Sequence, residues 1–144
     1  LRKPVIVHIR DAAGEGGAHA DALAALSAWS AAAGGGSAGG VVHAYSGGMA
    51  RLETVLALGL CIGIGGPLTF PNARELRAVA AAAPLERLLL ETDCPYLTPA
   101  PHRGARNEPA YVRFVAQALA QARGVEVGEV LEATTANARR VFGL

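Results

Sequence analysis

The chain has 144 residues, enough for one domain with a buried core. Hydrophobic residues make up 51% of it and the mean hydropathy is +0.29, much of this from alanine, yet no uninterrupted apolar run approaches the roughly 18 residues of a membrane span. With a net charge of +1 and a pI near 8.1, bulk charge argues neither for nor against a nucleic-acid partner, so affinity for phosphate has to come from local charge.

Leu1-Arg2-Lys3-Pro4 carries no signal-peptide core and leads straight into Val5-Ile6-Val7-His8, a buried-type strand. A domain that opens this way is expected to lack an N-terminal part. A helix over about 18–33 follows, alanine-rich, with Leu23, Leu26 and Trp29 on one face. The glycine-rich stretch 34–40 reads as a loop on the face of the sheet away from the chemistry. The second strand, Val41-Val42-His43, precedes a helix over about 49–58 that carries Leu52, Val55 and Leu56 and stops at Gly59. Cys61-Ile62-Gly63-Ile64-Gly65 is the third strand. The helix after it has Asn72 as N-cap, Leu76, Val79 and Ala80 on its apolar side, and Pro84 as its end.

The fourth strand, Leu88-Leu89-Leu90-Glu91-Thr92-Asp93, runs into a loop stiffened by Pro95, Pro99 and Pro101. Asn107-Glu108-Pro109 opens a helix with Val112, Val115 and Leu119 inward and Arg113, Gln117 and Gln121 outward. Two short helices, near 127–133 and 136–141, close the chain, with Thr135 as N-cap of the last and Gly143 as its stop. Cys61 and Cys94 stand in no metal-binding or redox spacing, as expected of a cytoplasmic protein with reduced thiols. The alternation predicts an α/β fold of four parallel strands with outer helices, whose function gathers at the strand C-termini.

Two of those strands end in histidine and one in aspartate. Side chains alternate across a strand, so Ile6, His8 and Arg10 share one face, as do Val41, His43 and Tyr45, and Leu89, Glu91 and Asp93. On the third strand Gly63 and Gly65 fall on that face and leave room for a ligand or metal, while Ile62, Ile64, Leu88 and Leu90 face the helices. Taken singly, each polar residue has a plainer reading: a hydrogen-bonded structural histidine, an aspartate shaping a turn, a glutamate in a buried ion pair. Ionisable groups recurring at one level of three strands are costly without partners, and imidazoles with a carboxylate suit Zn²⁺, Mn²⁺ or similar ions. Arg10 and Glu91, on the inner face, are expected to pair or to share a hydrogen-bond network. His102, Arg103 and Arg106 around Gly104 would either grip a phosphate or satisfy loop carbonyls.

Several strings in this chain resemble the TatD-type metal-dependent deoxyribonucleases, over nearly its whole length. They are Pro4-Val5-Ile6-Val7-His8-Ile9-Arg10-Asp11-Ala12, His43-Ala44-Tyr45-Ser46-Gly47, Ile62-Gly63-Ile64-Gly65-Gly66 with Thr69-Phe70, Glu91-Thr92-Asp93-Cys94-Pro95-Tyr96-Leu97-Thr98-Pro99, and Pro101-His102-Arg103-Gly104 with Arg106-Asn107-Glu108-Pro109. Thr135, Asn137, Ala138 and Phe142 fit the family's usual ending. The resemblance implies the C-terminal half of a (β/α)8 TIM-type barrel of the amidohydrolase-like kind, hydrolysing DNA phosphodiesters with one or two divalent ions (Mg, Mn or Zn). His8, His43 and Asp93 fall on metal-ligand positions. Asp93 is also the catalytic base, Glu91 supports the ligands from behind, and Arg10, His102, Arg103 and Arg106 are the substrate-binding candidates.

Tyr45 stands where phenylalanine is usual and Cys94 where alanine or serine is common. The family's His-x-His first strand and a later glutamate have no counterpart here. This is expected to leave residues 1–144 a partial barrel, inactive alone, able to associate with itself through its open side, and with DNA as the substrate of the whole enzyme. The rival readings are a metal-dependent hydrolase of esters or amides, and a non-catalytic half barrel that needs a partner segment.

Overall fold

The computed structural model describes residues 3–11, 17–32 and 39–144. Most of the expected glycine-rich loop lies outside them. Four strands, β1 (Val5–His8), β2 (Gly40–His43), β3 (Cys61–Ile64) and β4 (Leu88–Leu90), form one sheet in the order β1-β2-β3-β4, with every neighbouring pair parallel. Helix α1 (Gly17–Ala32) lies between β1 and β2 in the chain, α2 (Gly48–Ala57) between β2 and β3, and α3 (Arg74–Ala82) between β3 and β4; α4 (Val112–Arg123) and α5 (Val127–Phe142) follow.

The two faces of the sheet differ. Val42, Ile62, Ile64 and Leu88 pack in one buried cluster with Leu23 of α1, Leu52 and Val55 of α2, Val79 and Ala80 of α3, and Val115 and Leu119 of α4. Consecutive parallel strands with all these helices on one face are the winding of a barrel wall; a doubly wound sheet would reverse its strand order and place helices on both faces. On the inner face Val41, Cys61 and Leu89 form a second cluster with Ala138, Val141 and Phe142 near the end of α5. One alternation further along each strand stand His43, Gly63 and Glu91, so a polar layer lies above an apolar one. Ile6 pairs in register with Val41 and shares its face, yet is 66% exposed.

The helices end as their sequences require in most places. Gly59 at φ 77° terminates α2, while Gly124 and Gly143, at 67° and 69°, close α4 and α5. Arg123 reaches from α4 to donate to the carbonyls of Ala80 and Ala83, at 2.7 Å each, satisfying orphan acceptors at the end of α3.

Four expectations are corrected. α5 is one helix, not two: the Thr134 hydroxyl donates to Val130 O and the Asn137 amide donates to Leu85 O and Leu88 O, so these polar side chains do not break it. α3 starts at Arg74 after Ala73, without a cap from Asn72. Asn107 is fully buried and acts in its own loop, as described below, while α4 starts after a 3₁₀ turn over Pro109–Tyr111. Trp29 is 39% exposed, with Leu23 and Leu26 providing the packing face of α1.

Gly66 opens the 3₁₀ turn Gly66–Thr69, and a Cβ there would sit 2.0 Å from Leu97 O, a backbone atom that cannot swing aside. Gly66→Ala is therefore expected to lower stability by about 1–3 kcal/mol. Gly128, in the first turn of α5 with nothing within 4 Å, is the control. Gly128→Ala should leave stability unchanged or raise it by up to about 1 kcal/mol, the two variants being compared by urea denaturation.

Candidate active site

β2 delivers His43 to the C-terminal edge of the sheet, and the chain then turns through Ala44 at φ 47°. β4 ends at Leu90, but Glu91 still donates its N–H to Ile64 O at 3.1 Å and so keeps the strand's alternation. Its carboxylate crosses the sheet: Oε2 lies 2.7 Å from His43 Nδ1, and Oε1 accepts from Ala44 N at 2.6 Å. Gly63 makes this crossing possible, since a Cβ there would come within 2.2 Å of Glu91 Oε2. The space the inner-face glycine leaves is filled by this carboxylate.

Asp93 comes to the site by another route. It sits in the left-handed region at φ 57°, which ends the alternation, and its Oδ1 lies 2.8 Å from His43 Nε2. The imidazole thus bridges two carboxylates, one at each nitrogen. His8, in register with His43 on β1, places its ring 5.6 Å from it, centroid to centroid, at 46°.

Partial burial alone would pull the His43 pKa down. The hydrogen bond and charge of Glu91, followed by the charge and hydrogen bond of Asp93, outweigh it and hold the imidazole above its ordinary value. Burial pushes Glu91 up, against the pull of His43 and the Ala44 N–H, with Asp93 adding to the rise. Both Glu91 oxygens act towards donors, which is the arrangement of an ionised carboxylate.

The donor chemistry suits a borderline divalent ion. Nδ1 of His43 is held by a carboxylate, the usual way to orient a metal-binding imidazole, and Nε2 is turned towards a second carboxylate. The set is incomplete as a cluster: among the described residues no group of three His, Cys, Asp or Glu side chains is placed to hold a metal ion. His43 and Asp93 are brought together, with His8 alongside.

A cleft of about 850 Å³ opens over these groups, lined by His8, Arg10, Asp93, Tyr96 and Phe70 among others. The expected Arg10–Glu91 pair is absent among the described residues, because both oxygens of Glu91 are taken by His43 and Ala44. Tyr45 leaves the inner face: the turn at Ala44 sends its ring into the helix-side core, where its hydroxyl donates to Gly48 O at 2.7 Å. His102 stacks on Tyr111 at 4.5 Å and against Phe114, outside the cleft lining. Arg103 lays its guanidinium over Phe70, 4.0 Å from the ring centroid, and Arg106 is exposed.

One polar pair escapes sequence reasoning. Asp11 accepts from His19 N and contacts His19 Nδ1, so the carboxylate of the first motif closes onto the first turn of α1. An acid shortly before a helical run was the available signal. Desolvation, the largest single influence, would raise the Asp11 pKa, but the hydrogen bonds and charge of His19, with the Ala18 N–H, together outweigh it and lower it.

His43 in the metal-free chain is expected to titrate above about 6.5, with Glu91→Gln bringing it down, as read from imidazole proton shifts against pH. Because its folded pKa is the higher one, its contribution to stability is complete below about pH 6.5 and is lost as pH rises through the folded value.

The model of the family described as TatD related DNase matches residues 1–143. The uncharacterized metal-dependent hydrolase YcfH of Escherichia coli (strain K12) is 45% identical over 142 residues, 99% of this chain and 50% of its own length. The 3'-5' ssDNA/RNA exonuclease TatD of Erwinia amylovora is 37% identical over 149 residues, covering 100% of this chain and 54% of its own. The crystal structure of YjjV, a TatD homologue from Escherichia coli K12, superposes with a TM-score of 0.83 at 32% identity, over 98% of this chain and 50% of that one. The chain spans about half the length of the curated relatives it matches, and its sheet has the architecture of half a (β/α)8 barrel. It belongs to the TatD family of metal-dependent hydrolases.

Proposed function

We propose that this chain forms one wall of a divalent-metal-dependent nuclease, a partial barrel domain whose remaining donors come from a second half. The observation that carries the reading is the chain Glu91–His43–Asp93 at the strand C-termini, in which an imidazole is oriented at Nδ1 and offered at Nε2. His8, His43 and Asp93 would hold the ion. Bound there, it would supply Lewis-acid activation of water and offset charge developing on a phosphate.

The chain's own residues have separate tasks. Glu91 fixes the imidazole plane and its Nδ1 proton through contacts on both carboxylate oxygens. Asp93, half-buried and held on a left-handed turn beside His43, would accept the proton of an attacking water as general base. Arg10 in the cleft and the exposed Arg103 and Arg106 supply cationic contacts to phosphates, contacts that should weaken with added salt. His102 serves by packing on Tyr111. DNA as substrate is favoured by the family's description and by the name of the Erwinia relative, which includes RNA as well.

The test is cleavage of a labelled single-stranded oligonucleotide with Mg²⁺ or Mn²⁺, run beside small ester and amide substrates. Residues 1–144 alone should show negligible turnover. The barrel extended to the length of its relatives should cut the oligonucleotide, with Asp93→Asn losing about 10²–10⁴-fold in rate and Glu91→Gln about 10–100-fold. Turnover of esters or amides but not of nucleic acid would instead favour the other hydrolase reading. Metal-dependent cutting by residues 1–144 alone, abolished by His43→Ala, would contradict the half-site account.

A further inference from the structure

We infer that Tyr96 is a stacking platform for an unpaired nucleobase beside the metal donors, and that it makes this site select single strands and strand ends over duplex. The inference deepens the nuclease reading and rests on it.

Tyr96 is three residues beyond Asp93, lines the same cleft, and is 74% exposed. Neither face of its ring carries a ring or cation contact among the described residues, whereas Phe70 in the same cleft is already covered by Arg103 at 4.0 Å. An apolar ring held in water is unfavourable by the area it exposes, and chains usually fold such rings away. Here the mount is rigid. The Tyr96 N–H donates to Asp93 O at 2.9 Å, and Tyr96 O accepts from the Asn107 amide at 2.6 Å. The same amide donates to Thr92 O at 2.6 Å, and Asn107 N donates to Pro95 O at 3.1 Å. The buried Asn107 therefore ties together the backbone on both sides of Asp93 and Tyr96. The loop that fixes the catalytic candidate fixes the exposed ring with it.

The chemistry of the surroundings selects the occupant. Arg10, which lines the cleft with Tyr96, and Arg103, which lies over the cleft residue Phe70, suit an anionic chain better than an apolar protein surface. A tyrosine face accepts any base, so stacking supplies grip without sequence preference. Bases inside a duplex are already stacked on both sides, and only an unpaired or terminal one can lie on Tyr96.

Every group invoked lies on this chain, so binding can be measured on it directly. The probe is a single-stranded oligonucleotide carrying 2-aminopurine, titrated with the protein in Mn²⁺ and followed by anisotropy and base fluorescence. Tyr96→Ala should weaken binding about 10-fold or more and remove the fluorescence change, while Tyr96→Phe stays within about 2-fold of the parent. A closed circular duplex, which has no ends, should bind more weakly per nucleotide than the single strand, and equally to parent and Tyr96→Ala. Unchanged urea midpoints for both variants exclude a folding effect. Equal single-strand binding by parent and Tyr96→Ala, or no binding by the parent, overturns the inference. The nuclease reading is judged separately by the cleavage assay, in which Tyr96 is left intact and Asp93→Asn and Glu91→Gln are the variants compared with the parent.

Discussion

The carboxylate of Glu91, laid across the sheet into the space above Gly63, is the interaction on which the site depends. A partly buried anion is unfavourable unless its oxygens are satisfied, and here they meet the His43 imidazole and the Ala44 N–H. That requirement links three strands at once: the residue after β4 supplies the charge, β3 supplies the room, and the end of β2 with the turn that follows supplies the donors. It also determines what His43 can do, because an imidazole held at Nδ1 has only Nε2 to offer. Asp93 meets that nitrogen at 2.8 Å, and the order carboxylate, imidazole, carboxylate follows.

Beyond the strand ends the backbone is held by side chains and not by sheet. Between Asp93 and Asn107 the chain has no regular secondary structure, yet each stretch of it is tied. Asn107 spans Thr92 and Tyr96, Thr98 donates to Ala105 O at 2.6 Å, and Thr69 accepts from Ala100 N at 2.9 Å. Leu97 lies so close to Gly66 that no side chain fits there. The precision of Asp93 derives from this polar frame, in which the buried Asn107 and Thr98 side chains would be left without partners if it were broken.

The strands and their two faces were legible because short β-branched runs such as Val5-Ile6-Val7, closed by a histidine or glycine and separated by helical stretches, read as parallel strands whose pleat then assigns each side chain to a face. Hence His8, His43 and Glu91 were placed on the face they occupy. Parity names a face and not a partner. It could not say that Glu91 turns to His43 and Ala44 instead of Arg10, since the nearest donors depend on how neighbouring strands are staggered. It also fails where the backbone enters the left-handed region. The turn at Ala44 moves Tyr45 into the helix-side core, and the turn at Asp93 brings its carboxylate to the imidazole by a path that alternation does not describe. The continuity of α5 was hidden for a related reason. Thr135 resembles a helix start, but neighbouring Thr134 and Asn137 direct their polar atoms to carbonyls around the helix and leave its backbone bonds intact.

The central claim is that His43, oriented by Glu91, presents Nε2 to a divalent ion shared with Asp93. A crystal of the protein grown with Mn²⁺, with the ion placed by its anomalous scattering, tests this most directly. The account predicts an ion bonded to His43 Nε2 and an Asp93 oxygen while the contact between Nδ1 and Glu91 stays in place. An ion bound at Nδ1, or one bound away from both His43 and Asp93, would contradict it.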